Sequence, residues 1–192
     1  MRHNFVLSHV IDLPFGQGRR FVSARSTLER VVGGWSYLGF LQLRSGEPFT
    51  VVLGQDVYDL GAANAARPGL LRGSLKDVYS SGNRDRTQYL LPQPQVSQFL
   101  GTPADVRNPF SGIGRNAFTS PGVAAYDASF MKRTALTERV ALNFEINIFN
   151  VFNRAQFSAP IANLSNPLFG AITSTRAGFT PRQIQFGAKI VF

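Results

Sequence analysis

The stretch Arg139-Val-Ala-Leu-Asn-Phe-Glu-Ile-Asn-Ile-Phe-Asn-Val-Phe152 decides the fold. Val140, Leu142, Phe144, Ile146, Ile148 and Phe152 stand at even positions, and Asn143, Glu145 and Asn147 alternate with them. A period of two belongs to a β-strand, whose successive side chains point to opposite faces. Only Asn150 interrupts the apolar face. The spacing therefore predicts a strand over 139–152 with one greasy and one polar side.

Four other stretches share the period. Over 4–13, Phe5, Leu7, His9, Ile11 and Leu13 oppose Val6, Ser8, Val10 and Asp12. Over 35–45, Trp35, Tyr37, Gly39, Leu41 and Leu43 oppose Ser36, Leu38, Phe40, Gln42 and Arg44, so the second face there is mixed. Over 126–134, Ala128 and Phe130 oppose Asp127, Ser129, Met131 and Arg133. Over 183–192, Ile184, Phe186, Ala188, Ile190 and Phe192 oppose Gln183, Gln185, Gly187 and Lys189, and the chain closes on an aromatic residue.

Composition agrees with an all-β chain. Its 192 residues suffice for one domain, with 44% hydrophobic and 16% charged residues, too apolar for disorder. The 17 Phe and 18 Gly suit strands and turns. Cysteine is absent, which removes disulfides, thiolate metal sites and cysteine nucleophiles. His3 and His9 are the only imidazoles. The formal charge is +9, but the arginines are scattered, which argues against a nucleic-acid groove. No apolar run reaches the length of a transmembrane helix. The first ten residues lack the pattern of a signal peptide, so an exported protein is expected to contain more than this chain.

The links between strands alternate in length. A tight polar turn around Thr137 and Glu138 joins the third and fourth strands. Residues 52–122, by contrast, make a link of about seventy residues rich in Gly, Pro, Asn, Asp and Arg, longer than soluble domains ordinarily carry without structure of its own. Residues 153–180 are a second long link, and Pro14 to Gly34 is intermediate, with Gly16 and Gly18 in a turn and a short helical turn expected from Ser26 to Val31. Short turns on one side and long loops on the other characterise outer-membrane barrels, whose strands of about 10 residues carry lipid on one face and water on the other. The expected fold is an all-β, antiparallel transmembrane barrel segment, about five C-terminal strands of a large barrel with long extracellular loops, because five strands cannot themselves close. Leu142, Phe144, Ile146 and Ile148 are then lipid-facing. Asn143, Glu145, Asn147, Arg133 and Lys189 face the lumen.

Five stretches carry a family resemblance: Leu13-Pro-Phe-Gly-Gln-Gly-Arg-Arg20, Gly33-Gly-Trp-Ser-Tyr-Leu-Gly39, Arg44-Ser-Gly-Glu-Pro-Phe-Thr50, Phe144-Glu-Ile-Asn-Ile-Phe-Asn-Val-Phe-Asn153 and Pro181-Arg-Gln-Ile-Gln-Phe-Gly-Ala-Lys-Ile-Val-Phe192. In this order they resemble the C-terminal end of TonB-dependent outer-membrane receptors, nearest in character to the Oar-like group with a carboxypeptidase-regulatory-like domain. The resemblance implies a barrel of about 22 strands in the bacterial outer membrane, filled by a plug, that takes up a large solute. The plug and the TonB-contacting segment are not in this chain. The expected partners are outer-membrane lipid and lipopolysaccharide, the barrel-assembly machinery, the remainder of the receptor and, through that remainder, TonB. No nucleic acid, cofactor or enzymatic activity is expected. Ile184, Phe186, Ala188, Ile190 and Phe192 resemble the signature that the assembly machinery reads.

Other motifs have plain readings. Asp127 and Glu145 share the polar face and could pair as acid and base for glycoside hydrolysis, but carboxylates ordinarily line wet lumens. His3 and His9 lack a third metal ligand. Gly16-Gln-Gly18 is a turn, without the third glycine of a dinucleotide fingerprint, and Asn163-Leu-Ser165 matches a glycosylation acceptor of no weight in a bacterial protein. Arg19, Arg20, Arg67, Arg72, Arg84 and Arg86 could meet anionic head groups, although solvated loops carry such charges too. Trp35, Tyr37 and Tyr126 stand near strand ends, where barrels place aromatic girdles. A soluble β-sandwich that binds carbohydrate is the alternative, since periodicity alone does not say whether the greasy face meets lipid or a second sheet.

Overall fold

The computed structural model describes residues 2–15, 31–59, 61, 66–80, 87–103, 105, 107–108 and 111–192. The turn expected at Gly16 and Gly18, residues 26–30 of the expected helical turn, and Arg19, Arg20, Arg84 and Arg86 lie outside them. The strands are β1 (Asn4–Asp12), β2 (Trp35–Arg44), β3 (Pro48–Phe49), β4 (Gly69–Leu70), β5 (Leu100–Gly101), β6 (Phe118–Thr119), β7 (Val123–Ala135), β8 (Ala141–Phe149) and β9 (Gln183–Val191), with two 3-10 turns at Leu75–Val78 and Gln95–Gln98. Among the described residues no helix is long and apolar enough to cross a membrane.

The chain divides into two compact units. One contains Asn4–Arg44, Ala124–Ala155 and Phe179–Phe192, and holds a five-stranded sheet in the order β1-β2-β7-β8-β9. The five long strands fall on the five stretches of alternating sequence, with β1 antiparallel to β2 and β8 antiparallel to both β7 and β9. The turn between β7 and β8 is closed by the N–H groups of Leu136 and Thr137, which donate to the Val140 carbonyl at 2.8 and 3.1 Å. The Thr137 hydroxyl accepts the Val140 N–H at 3.0 Å, which explains a threonine there.

Two boundaries differ from the periodicity by three residues, and the others by two or fewer. Strand β7 starts earlier, at Val123, and β8 ends at Phe149 rather than Phe152. The cause of the second is local: Asn150 has φ 52° and Asn153 φ 48°, a left-handed conformation that asparagine tolerates and that ends a strand.

The sheet has no large-residue core of its own. Among the described buried hydrophobic residues of this unit are only Ala128 and Ala141. Phe186, Ile190 and Ile184, on an edge strand, are 70%, 59% and 53% exposed. Rows of open apolar side chains on this scale mark a surface with a partner other than water.

The other unit combines Met1–His3 and Ser45–Val123 with Gln156–Gly178. The long links are therefore not irregular, as the sequence reading has them. They fold on each other around Val51, Leu53, Val78, Leu90, Val96, Leu100 and Phe118 from the first link and Leu164 and Phe169 from the second. Val52 bridges Asn163, and Gln88 bridges Ala171. Glu47 and Arg176 add an ion pair at 2.8 Å between the two links. Burying Phe118 and Phe169 alone removes enough apolar surface to contribute several kcal/mol, on the order of 2–3 each.

Candidate functional site

Strand register builds one continuous apolar face. Across β7, β8 and β9 the rows read Thr134–Leu142–Ile190, Lys132–Phe144–Ala188, Phe130–Ile146–Phe186 and Ala128–Ile148–Ile184. Rings carry the same face into β2, where Tyr37 lies 5.1 Å from Phe130 and Trp35 meets Phe144 edge-on at 6.2 Å. In β1, Ile11 pairs with Tyr37, His9 with Gly39, Leu7 with Leu41 and Phe5 with Leu43. The structure thus brings Leu142, Phe144, Ile146, Ile148, Ile184, Phe186, Ala188 and Ile190 together on one side of the sheet. Phe192 follows the end of β9 and is 98% exposed.

The opposite face is polar over the middle of the same three strands, between an apolar row Ala135–Ala141–Val191 at one end and Phe149 opposite Gln183 at the other. Its middle rows are Arg133–Asn143–Lys189, Met131–Glu145–Gly187 and Ser129–Asn147 with Gln185 beyond. Ser129 donates to the Asn147 side-chain carbonyl, and Ser36 donates to Asp12 at 2.7 Å. The Asn143 Oδ1 is enclosed without a hydrogen-bond partner, in a row between two cations.

Asp127 and Glu145 do not form an acid–base pair. Glu145 stands opposite Met131, four positions from Asp127 along β7, which separates their rows by about 13 Å against the roughly 5–9.5 Å that glycosidase carboxylates span. Asp127 instead accepts the Asn150 N–H at 2.7 Å.

That bond belongs to a latch the periodicity did not disclose. The Asn150 amide donates to the Thr180 carbonyl at 2.9 Å and the Arg154 carbonyl at 3.2 Å, and its Oδ1 accepts the Arg154 N–H at 2.9 Å. Asn153 accepts the Arg182 N–H at 3.1 Å. Two left-handed asparagines thereby tie the end of β8 to the start of β9 and to β7. In the sequence Asn150 shows only as a break in the apolar pattern; the signal is the asparagine at a strand end.

His9 sits on the apolar face between rings, 5.4 Å from Tyr37 and 6.4 Å from Tyr126. The Tyr37 and Tyr126 hydroxyls bond each other, and Tyr126 lies 5.8 Å from Phe152. Gly39 makes room for this cluster, since a Cβ there would collide with the His9 ring and the Tyr126 hydroxyl. His3 belongs to the other unit.

At the other end of β7, Lys132 also projects on the apolar face, a cation that the alternation did not single out. Its Nζ donates to the Val31 carbonyl at 2.6 Å and lies 5.5 Å from the centre of the Trp35 ring. The Trp35 indole donates to the same carbonyl at 3.0 Å.

In the loop unit, hydrogen bonds from the Ser74 backbone and hydroxyl, at 2.8 and 2.9 Å, hold the Asp77 carboxyl below its ordinary range. Burial raises the Tyr89 phenol, and Tyr79 beside it adds to the effect. Of the loop arginines, Arg72 is exposed and Arg67 half-buried.

The sequence model of one protein family, described as an outer membrane beta barrel domain, matches residues 1–185. No curated protein matches the chain. No solved structure matches it.

Proposed function

The chain belongs to the outer membrane β-barrel domain family and resides in the bacterial outer membrane, and from that premise we propose that it is the C-terminal part of a TonB-dependent receptor barrel that takes up a large solute. The observation that carries the reading is a five-stranded wall with one apolar and one polar face, joined on one side by a tight turn and on the other by long links that fold into their own unit. Long links belong outside the cell and short turns in the periplasm. Strands β1, β7 and β9 then descend toward the periplasm, and β2 and β8 ascend.

Direction has a further consequence. Both edge strands, β1 and β9, descend, so copies of this chain joined edge to edge would meet in a parallel seam. Barrels of this class close with even numbers of antiparallel strands. Closure therefore requires an odd number of additional strands, with an ascending one against each edge. That favours the upstream wall of a larger receptor over a ring of identical chains.

Within that receptor the apolar face meets acyl chains, and Asn143, Glu145, Asn147, Arg133 and Lys189 line the lumen. Ile184, Phe186, Ala188, Ile190 and Phe192 present the assembly signature. The exposed loop cations, Arg72 among them, face lipopolysaccharide phosphates. The chain contributes wall, outer loops and assembly signal, without catalysis.

The test uses the full-length protein purified from outer membranes. A plugged receptor passes no steady potassium chloride current in a planar bilayer and crosslinks to TonB in cells. A steady open-channel current together with no TonB crosslink refutes the receptor reading while leaving the barrel intact.

A further inference from the structure

An unpaired polar group in hydrocarbon is costly, yet three polar side chains meet on the apolar face. His9 projects from β1, Tyr37 from β2 and Tyr126 from β7, with the imidazole 5.4 and 6.4 Å from the two phenol rings. They converge over Gly39, where a Cβ would collide with the His9 ring and the Tyr126 hydroxyl. Their depth is specific. Gly39 lies four residues from Trp35 and five from Arg44, about 10 and 12 Å along the membrane normal at a tilt of roughly 45°. The cluster therefore sits near the middle of the wall, where acyl chains supply neither donor nor acceptor.

Hydrogen bonding within the cluster is incomplete. The Tyr37 and Tyr126 hydroxyls bond each other, which uses one of their two protons and leaves the other to donate outward. His9 makes ring contacts but no hydrogen bond among the described residues. A neutral imidazole carries one N–H and one bare nitrogen, so the cluster displays donors and an acceptor together and is complementary to itself. Polar groups at membrane depth pair with one another across segments. Two copies inserted in the same direction are related by an axis along the membrane normal, which brings their clusters to one depth. A phenol proton of one copy then meets the imidazole nitrogen of the other, twice over. A different membrane protein would need a matching polar group at this depth, whereas a second copy has one by symmetry. We propose that His9, Tyr37 and Tyr126 form the contact through which a second copy of the full-length protein packs against this face in the outer membrane. Phe5, Leu7 and Ile11, 53%, 45% and 49% exposed on the same face of β1, surround it. The pairing is face to face and leaves both sheet edges to the strands that close each barrel. It rests on the apolar face meeting lipid, and not on TonB or any solute.

The full-length protein, with one fluorophore per copy, is reconstituted into vesicles over a range of protein-to-lipid ratios, and photobleaching steps count the copies that travel together. Two steps are expected to dominate. His9→Phe keeps a ring and removes its hydrogen bonds, and should raise the protein density needed for half pairing about tenfold, the loss of two hydrogen bonds between membrane segments. His9→Gln, which restores a donor and an acceptor, should recover most of that loss, and Ser8→Ala, on the opposite face of β1, should stay within about twofold of the unaltered protein. This chain has no cysteine, so Leu7→Cys, beside His9, reports the contact by forming a disulfide-linked pair on oxidation, and Phe186→Cys, on β9, should not. Single steps at every density in the unaltered protein overturn the proposal, as does pairing that His9→Phe leaves unchanged or that crosslinks through Phe186→Cys alone. A bimane on Phe186→Cys separates this failure from that of the underlying reading: spin labels on lipid tails should quench it, and the absence of quenching refutes the lipid-facing assignment and the pairing with it.

Discussion

Ile146 offers the sharpest test of which solvent the apolar face meets. It occupies the middle of β8, with Phe130 across one strand boundary and Phe186 across the other. Replaced by arginine near the bilayer midplane, such a residue costs about 2–4 kcal/mol. That corresponds to a loss of roughly 30- to 1,000-fold in the folding constant. Asn147, one position along and on the polar face beside Ser129, should accept arginine within about 0.5 kcal/mol, the range of ordinary surface changes.

A third variant separates lipid from a packed interior. In a close-packed core, Ile146→Ala would leave a cavity and cost about 2–5 kcal/mol. Against lipid no cavity forms, because acyl chains move in, and only the lost side-chain transfer remains, under about 1 kcal/mol. Urea titration of the full-length protein in vesicles, followed by heat-modifiable migration on gels, measures all three. If Ile146→Ala costs 3 kcal/mol or more and Asn147→Arg is as damaging as Ile146→Arg, the assignment of faces is wrong.

Removing the Asn150 latch by Asn150→Ala should destabilise the barrel by about 2–4 kcal/mol, from its side-chain bonds and the left-handed backbone together, and Asn150→Gly should recover about 1 of these in the same titration. Phe118→Ala should cost the loop unit about 3–5 kcal/mol and open Arg72 and Arg115 to trypsin on whole cells, with heat-modifiable migration retained. Deleting Phe192, which is 98% exposed and so contributes little packing, should lower outer-membrane insertion in a pulse-chase assay with no change in the urea midpoint of protein that does insert. Asp77 has a depressed folded-state pKa, so its stabilising effect is complete above its ordinary value of 3.8 and is lost as pH falls below that through the folded value. Amide exchange around Ser74 should accelerate in that window, and Asp77→Asn should flatten the response.

The sheet was legible because its chemistry is periodic. In the middle of β8 and β9 one face is apolar and the other polar, so strand and face follow there from counting by twos, although Ala141, Phe149 and Val191 close the polar face at its ends. In β1 and β2 the count finds the strands but not their orientation: Val10 pairs with Leu38, and Ser8 with Phe40, on the side opposite Tyr37 and Leu41. There both faces are greasy, and what assigns them is Tyr37 against Phe130 and Trp35 against Phe144, contacts between strands about ninety residues apart or more in sequence. Lys132 escaped notice for the same reason. A polar letter in a weakly alternating strand looks like noise until the indole and the Val31 carbonyl are seen to hold it.

The loop unit was illegible for a different reason, and the contrast bears on how the chain divides its labour. Its core residues, such as Val51, Leu90, Phe118 and Phe169, recur at no fixed interval, because short bridges and turns rather than ladders place them. Gly, Pro and Asn set those turns, and the same composition reads as loop. Water supplies the hydrophobic drive there, so large side chains go inside. In the sheet unit they stay outside, and the described buried apolar residues are alanines. A chain that buries phenylalanine in its links and displays it on its strands is built for two solvents. Hence a mutation that fills or empties the interior should injure the loops, whereas one that adds charge to the exterior should injure the wall.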